Sequence, residues 1–312
     1  MNYNFSDKVL ALKLNAIREI LKSASDPGVI SLSAGNPAPD AFPVDAIKEI
    51  STRLLEENPI GVLQYGISDG YTPLRDTLKS YIKEELDVIK ENDELIIVSG
   101  AQQVMDIVAK TFLNEHDTLI CEAPSFVGAL NTFRSYNVNL VDVTVEKDGM
   151  NMEELEEKLK ENENTKLIYT IPNFQNPSGV TMSLEKRKKL YELAKKYNVL
   201  IIEDNPYGDL RYFGEDVACI KSFDTEGLVI YSGSFSKVVA PGIRVGYMVA
   251  DKAAMAKMIV CKQGQDVHTA MWSQMVCNEF MTKYDFKGHL QYLRELYSKK
   301  AEYTMDLLKK NL

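Results

Sequence analysis

No stretch of this sequence approaches the roughly 18 consecutive apolar residues that a membrane-spanning helix needs, so we expect no membrane span. The four cysteines have no CxxC spacing, and Cys121 and Cys219 lie in or near apolar runs. Buried, reduced thiols are therefore expected, rather than disulfides or a zinc site. An excess of basic residues is also lacking. The formal net charge of -9 argues against a nucleic-acid surface and requires that any bound anion be held by a local site.

A secretory signal peptide is not apparent either, because charged side chains interrupt every apolar stretch of MNYNFSDKVLALKLNAIREIL. No internal repeat or low-complexity segment is present. The 312 residues are 45% hydrophobic and 26% charged, which suits one large globular domain or two unequal ones with ample core. We expect a cytoplasmic protein that binds neither a membrane nor a nucleic acid.

Strand-like and helix-like patterns alternate between residues 94 and 250, which predicts a mostly parallel sheet with helices on both faces. The predicted strands are 94–98, 118–121, 138–145, 166–171, 199–203, 228–231 and 245–249. Apolar residues at helical spacing predict an amphipathic helix at 7–23, and further helices at 43–55, 73–86, 101–113, 152–159 and 184–197.

The segment LVIYSGSFSKVVAPGIRVGYMVA, residues 228–250, has a lysine just past a strand, flanked by hydroxyls and followed by an arginine. Lys237 can form a Schiff base with an aldehyde cofactor. Ser234 and Ser236 can donate hydrogen bonds to a phosphate, and the planar guanidinium of Arg244 can clamp the same anion. The alternative is a Ser/Gly turn with two solvated cations, and this segment alone does not decide between the two.

Other turns also follow predicted strands. Ser99-Gly100 leads into a helix whose first N–H groups, at Ala101 and Gln102, would present the positive end of the helix dipole to an anion. Asp204 ends a buried strand, where α/β sheets bind their ligands. Asn176 lies in an Asn-Pro-x-Gly turn, which by itself is only a good turn sequence.

Ser-Phe-Ser-Lys followed by Pro-Gly-Ile-Arg-Val-Gly resembles the pyridoxal 5'-phosphate (PLP) lysine segment of fold-type I aminotransferases. The similarity is greatest to the branch of kynurenine and 2-aminoadipate aminotransferases, and it runs over nearly the whole chain. It implies an α/β fold, with a three-layer α/β/α large domain around a mostly parallel seven-stranded sheet and an incomplete small domain. It also implies transfer of an amino group between an L-amino acid and a 2-oxo acid, in a homodimer.

The resemblance assigns a role to each matching residue. Lys237 would hold the cofactor as an internal aldimine and then move the substrate Cα proton. Asp204 would keep the pyridine nitrogen protonated, while Asn176 and Tyr207 would share the phenolic oxygen. The remaining assignments are phosphate binding by Ala101, Gln102, Ser234, Ser236 and Arg244, ring stacking by Phe126, substrate binding by Gly35 and Asn176, and donation by Tyr65 to the cofactor phosphate of the other subunit.

The end of the chain departs from the family pattern. Residues 284–312 resemble the long helix leading into a small C-terminal domain, whose late arginine grips the substrate carboxylate. No arginine here matches it, since Arg294 belongs to the connecting helix. The expected domains are an N-terminal helix with the substrate-side loop (1–45), a large PLP-binding domain (46–284) and the start of a truncated small domain (285–312).

Two alternatives stay open. One is a non-catalytic or weakly active cofactor-binding remnant, and the other is a different PLP reaction, such as β-elimination, racemisation or decarboxylation. A regulator that fuses this domain to a winged helix is disfavoured, because no basic DNA-binding domain precedes the sequence.

Overall fold

A mixed eight-stranded sheet forms the centre of the computed structural model, which describes residues 3–10, 12, 28–29 and 35–311. The strands of this described part are β1 (Asp93–Val98), β2 (Thr118–Ala123), β3 (Asn139–Glu146), β4 (Gly149–Met150), β5 (Thr165–Thr170), β6 (Leu200–Asp204), β7 (Val229–Ser234) and β8 (Gly246–Asp251). Their order across the sheet is β1-β8-β7-β6-β5-β2-β3-β4. Neighbours from β7 through β3 pair in parallel, β8 is antiparallel to both β1 and β7, and β4 is antiparallel to β3.

The mostly parallel sheet is confirmed, but the expected number of seven strands is wrong by one. The additional strand is β4, whose two residues pair with Val145 and Glu146 after a tight turn. Gly149 has a φ of 116°, which L side chains rarely adopt. A two-residue strand is too short to produce an alternating pattern, so the sequence carried no periodic signal for it.

Helices cover both faces of the sheet. They are α1 (Asp7–Leu10), α2 (Val44–Glu57), α3 (Pro59–Leu63), α4 (Thr72–Glu85), α5 (Ala101–Phe112), α6 (Val127–Arg134), α7 (Met152–Glu161), α8 (Leu184–Tyr197), α9 (Lys252–Asp266), α10 (Met271–Lys283) and α11 (Phe286–Asn311). Of the helix predicted at 7–23, only α1 is seen, because most of the rest lies outside the described residues.

Successive side chains of a strand point to opposite faces of the sheet, so neighbouring residues pack into different hydrophobic clusters. Ile96 packs into a cluster with residues of α5 and α9, whereas Ile97 packs with residues of α4 and α10. Ile168 and Tyr169 of β5 divide in the same way, with Ile168 packing against α7 and α8. The sheet is thus buried on both faces, which leaves the ends of its strands for a site.

All four cysteines are free; Cys121, Cys219 and Cys277 are buried and Cys261 is half-buried. The burial of Cys121 and Cys219 agrees with the apolar runs in or near which they lie. None of the helices in the described part of the chain is long and apolar enough to cross a membrane.

The first half of α11 holds three loops by hydrogen bonds to their backbone. Arg294 belongs to this helix, as predicted, and it is half-buried. The contacts are His289 Nε2 to the Val238 carbonyl at 2.8 Å, Tyr292 Oη to the Asp40 carbonyl at 3.1 Å, and Arg294 Nε to the Asp209 carbonyl at 2.8 Å. Two of these carbonyls lie within two residues of predicted site residues, Val238 beside Lys237 and Asp209 two residues after Tyr207.

Candidate active site

Lys237 lies in the turn that follows β7, and its side chain is half-buried. Its ammonium nitrogen donates a hydrogen bond to the Gly35 carbonyl at 3.0 Å and lies 5.9 Å from the centre of the Tyr207 ring. Among the described residues, no carboxylate forms an ion pair with it. Burial therefore lowers the pKa of Lys237, so its amine is neutral more often than that of a solvated lysine.

Asp204 ends β6, next to β5 and β7, and is only 4% exposed. Its Oδ2 accepts a hydrogen bond from the Tyr169 hydroxyl at 3.0 Å. Its Oδ1 is buried and has no hydrogen-bond partner in the part of the chain that the structure describes. Burial raises the pKa of Asp204 to about 6, although the hydroxyls of Tyr169 and of the neighbouring Ser232 act in the opposite direction. Such a carboxylate lacks a donor, and a protonated ring nitrogen would supply one.

Tyr207 and Asn176 meet beside this carboxylate. Burial and the charge of Asp204 raise the pKa of Tyr207, while a hydrogen bond with Asn176 lowers it. The turn that carries Asn176 is held by Gln175, whose side chain donates to the Pro124 carbonyl at 2.7 Å and accepts from the Ser178 N–H at 2.9 Å. The structure thus brings together a hydroxyl and an amide that the sequence separates by 31 positions.

Glu122 is a buried carboxyl that we did not predict as part of the site. It is the last residue but one of β2, is 2% exposed, and accepts hydrogen bonds from the Thr170 hydroxyl at 2.7 Å and the Ile171 N–H at 3.0 Å. Burial raises the pKa of Glu122 to about 7; these hydrogen bonds oppose the rise and the charge of Asp204 adds to it. In the sequence it directly follows the predicted strand 118–121, which is the same signal that identified Asp204.

An anion-binding end of the site is formed where α5 begins. Gly100 precedes the helix with a φ of 84°, and no side chain of the described residues caps the helix. Arg244 donates to the Ser99 carbonyl at 2.9 Å and to the Pro241 carbonyl at 3.1 Å. A Cβ at position 100 would collide with the Arg244 guanidinium, so glycine is required for this approach. The guanidinium and the free N–H groups of Ala101 and Gln102 therefore lie close together.

The two serines of the lysine segment are joined by a hydrogen bond, Ser234 Oγ to Ser236 Oγ, at 3.0 Å. The side-chain amide of Gln102 donates to the Gly128 carbonyl at 3.0 Å and to Thr132 Oγ1 at 2.6 Å. This amide is thus engaged with α6, which leaves the backbone N–H of Gln102 for an anion.

The two predicted aromatic residues differ in their surroundings. Phe126 is half-buried immediately before α6 and packs against the cluster that contains α5. Tyr65 is 81% exposed, and its ring lies edge-on to His268 at 5.8 Å.

The donor set of this site fits PLP. The unpaired oxygen of Asp204 suits a ring N–H, and the Lys237 amine suits an aldehyde. The guanidinium and the helix N-terminus suit a phosphate, and Gly100 lets the guanidinium approach that terminus.

The chain matches the model of the aminotransferase class I and II family over residues 27–310, and it belongs to that family. It is a PLP-dependent enzyme that transfers amino groups, and the predicted reaction class and cofactor are confirmed.

Curated relatives agree. The chain is 41% identical to aromatic-amino-acid aminotransferase 1 of Thermococcus litoralis over 308 residues, covering 97% of this chain and 74% of the relative. It is 37% identical to the 2-aminoadipate transaminase of Thermus thermophilus over 302 residues, covering 95% of this chain and 74% of the relative.

Solved structures agree as well. The multiple substrate aminotransferase of Thermococcus profundus superimposes with a TM-score of 0.93 at 38% identity, over 99% of this chain and 77% of that one. The α-aminoadipate aminotransferase of Thermus thermophilus, solved with phosphopyridoxyl-leucine, gives a TM-score of 0.91 at 34% identity, over 99% of this chain and 77% of that one.

The raised pKa of Asp204 predicts how the stability of the cofactor-free protein depends on pH. The carboxyl has a pKa of about 6 when folded and an ordinary value of 3.8, so between these values the folded state binds more protons than the unfolded state. The free energy of unfolding then falls as the pH rises through this range, by on the order of 2–3 kcal/mol from this group. Asp204→Asn removes the buried charge, and we expect it to stabilise the cofactor-free protein at about pH 8 by a similar amount.

Urea unfolding of cofactor-free protein between about pH 5 and pH 8 measures this effect. Asp142→Asn, at an exposed position of β3, is the matched control and should leave the pH dependence unchanged. Equal or lower stability of Asp204→Asn at the upper pH would contradict the assignment of a desolvated carboxylate.

Proposed function

We propose that Lys237 carries PLP covalently and that amino-group transfer takes place at the site formed by Lys237, Asp204, Tyr207 and Asn176. The observation that carries this proposal is the buried, unpaired Oδ1 of Asp204 in the site that also holds a lysine with no carboxylate partner among the described residues. When bound, the cofactor supplies an electron sink for the electron pair left by removal of the substrate Cα proton.

Asp204 keeps the pyridine nitrogen of the cofactor protonated. Its Oδ1 accepts the ring N–H, while the Tyr169 hydroxyl keeps the other oxygen in place. The ion pair forms where water is excluded, so it stabilises the protonated ring more strongly than it would in solution. This explains why a carboxylate without a donor is retained at this position.

Lys237 moves the proton. Burial lowers its pKa, so a useful fraction of the freed amine is neutral and accepts the Cα proton as a general base. The Gly35 carbonyl, which accepts the Lys237 hydrogen bond in the structure, gives the ammonium form a partner. The chain thus returns the lysine to a defined position after each proton transfer.

The other residues orient the cofactor and the substrate. Tyr207 and Asn176 hydrogen-bond the phenolic oxygen, and Phe126 stacks on the ring. Phosphate is held by the N–H groups of Ala101 and Gln102 with Ser234, Ser236 and Arg244. The substrate carboxylate is bound by Gly35 and Asn176.

The amino donor is proposed to be an L-amino acid with a large side chain, and the acceptor a 2-oxo acid. Support comes from the relatives, whose names give aromatic amino acids, 2-aminoadipate and kynurenine as donors. We also propose that the protein works in the cytoplasm, in keeping with its four free cysteines.

A homodimer is proposed as the working unit. The segment of α3 and the loop after it exposes a row of large apolar side chains: Ile60 at 73%, Leu63 at 76%, Tyr65 at 81% and Ile67 at 55%. Contiguous exposed apolar surface is a feature of association sites. A second copy covering this segment would also bring its Tyr65 to the cofactor phosphate.

The first prediction of this proposal concerns Lys237. Borohydride reduction of the PLP-loaded protein and peptide mass mapping should find the pyridoxyl group on Lys237, because burial lowers the pKa of that amine and it lies 5.9 Å from the centre of the Tyr207 ring. Lys237→Ala should lose the adduct and the transfer activity, whereas Lys257→Ala, at an exposed position of α9, should keep both. An adduct on a different lysine would refute the assignment.

The second concerns the dimer. Sedimentation or light scattering should give a mass of twice 35.2 kDa, and Leu63→Asp should reduce it to that of one chain. Tyr65→Phe should keep the dimer and weaken PLP binding by about tenfold to a hundredfold, since it removes one hydrogen bond to a charged group. Leu63→Ala is the control for Leu63→Asp. A wild-type monomer that binds PLP would contradict the dimer.

A further inference from the structure

A polar cluster that includes a buried lysine lies behind the anion-binding end of the site, where α9 packs against the turn before α5. It consists of Ser99, Gln103, Lys262, Asp266 and Thr269. Lys262 is fully buried, and its ammonium donates to both oxygens of Asp266, at 2.7 and 2.9 Å. It also donates to the Thr269 hydroxyl at 3.2 Å. Burying an ammonium is costly without a partner, so this arrangement needs its carboxylate.

Every polar group of Ser99 is engaged. Its N–H donates to Gln103 Oε1 at 2.7 Å, and its hydroxyl donates to Asp266 Oδ2 at 2.7 Å. Its carbonyl accepts from the Arg244 guanidinium at 2.9 Å. Ser99 therefore connects Gln103 and Asp266 of the cluster to Arg244, the residue that faces the anion.

Asp266 is the centre of this cluster. Gln103 Nε2 donates to the same Oδ2 that accepts from Ser99, at 2.9 Å. Burial alone would raise the pKa of Asp266, but the hydrogen bonds from Lys262, Ser99 and Gln103 outweigh burial and lower it. The group is thus a carboxylate at neutral pH, with its acceptor aimed at Ser99.

We infer that Asp266, with Lys262 as its counter-ion, is a positioning residue for the phosphate of the cofactor, acting through Ser99 on Arg244. The inference rests on the phosphate site proposed above. Arg244 is exposed, and holding its long side chain in one orientation carries an entropic cost. Because the Ser99 carbonyl is fixed from behind, the guanidinium stays over the N-terminus of α5 before the phosphate arrives. In the proposed site, neither Asp266 nor Lys262 contacts the cofactor.

The test compares two ligands that share a ring and an aldehyde but differ in the phosphate, PLP and pyridoxal. The ratio of their dissociation constants, measured by equilibrium dialysis with the cofactor-free full chain, isolates the phosphate site. Ser99→Ala and Asp266→Asn each remove a positioning hydrogen bond and leave Arg244 in place. We expect either change to reduce the preference for PLP by about threefold to tenfold, with little effect on pyridoxal binding.

Asp93→Asn is the matched control. Like Asp266, Asp93 is a carboxylate paired with a buried lysine, here Lys221 at 2.9 Å, and Asp93 is itself buried. It begins β1, and Ser99 follows the end of that strand, about 20 Å away at the usual rise per residue. Its substitution should lower stability in a comparable way and leave the ratio unchanged.

Arg244→Gln separates this inference from the proposed function. Loss of most of the PLP preference in Arg244→Gln, with a wild-type ratio in both Ser99→Ala and Asp266→Asn, would leave the phosphate site standing and overturn the inference. Equal weakening of PLP and pyridoxal in Ser99→Ala and Asp266→Asn would indicate a purely structural role and also overturn it. A wild-type ratio in Arg244→Gln would remove the phosphate site, and the inference with it.

Discussion

The functional site is built around one buried atom, Asp204 Oδ1, which has no hydrogen-bond donor among the described residues. Burial raises the pKa of this carboxyl to about 6, so in the cofactor-free protein its charge is stabilised poorly at neutral pH. In the proposed site, a protonated pyridine nitrogen would supply the missing donor, and binding energy would then be concentrated on the atom whose protonation the chemistry needs. The position of Asp204 is set by the sheet, since β6 lies between β5 and β7 and both neighbours are parallel to it.

The remaining site residues follow from the same topology. Carboxyl ends of parallel strands meet at one edge of a sheet, and here they bring Glu122, Asn176, Asp204 and Lys237 into one region. The long helix α11 then holds the backbone beside Lys237 and beyond Tyr207 through His289 and Arg294. Polar groups that would destabilise an ordinary core are thus retained at this edge, while three hydrophobic clusters supply the stability.

Much of this could be predicted from the sequence, because the strands are apolar runs that end in a chemically distinct residue. Asp204 and Lys237 stand out in that way, and the seven predicted strands begin and end within three residues of the observed ones. Glu122 gives the same signal, but it was missed because its hydrogen bonds to Thr170 and Ile171 depend on strand pairing. The link from Lys262 and Asp266 to Ser99 could not be predicted, since a lysine–aspartate pair at i and i+4 usually indicates a solvated helix face. The two-residue β4 has no period to detect.

The most direct test of the central claim is a single turnover of the PLP-loaded chain with one amino acid and no oxo acid. Aromatic amino acids and 2-aminoadipate should be tried first. The expected result is stoichiometric oxo acid with the amino group retained on the cofactor, followed by recovery of the starting absorbance spectrum when a 2-oxo acid is added. Release of ammonia or carbon dioxide, or formation of oxo acid without an aminated cofactor, would contradict amino-group transfer at this site.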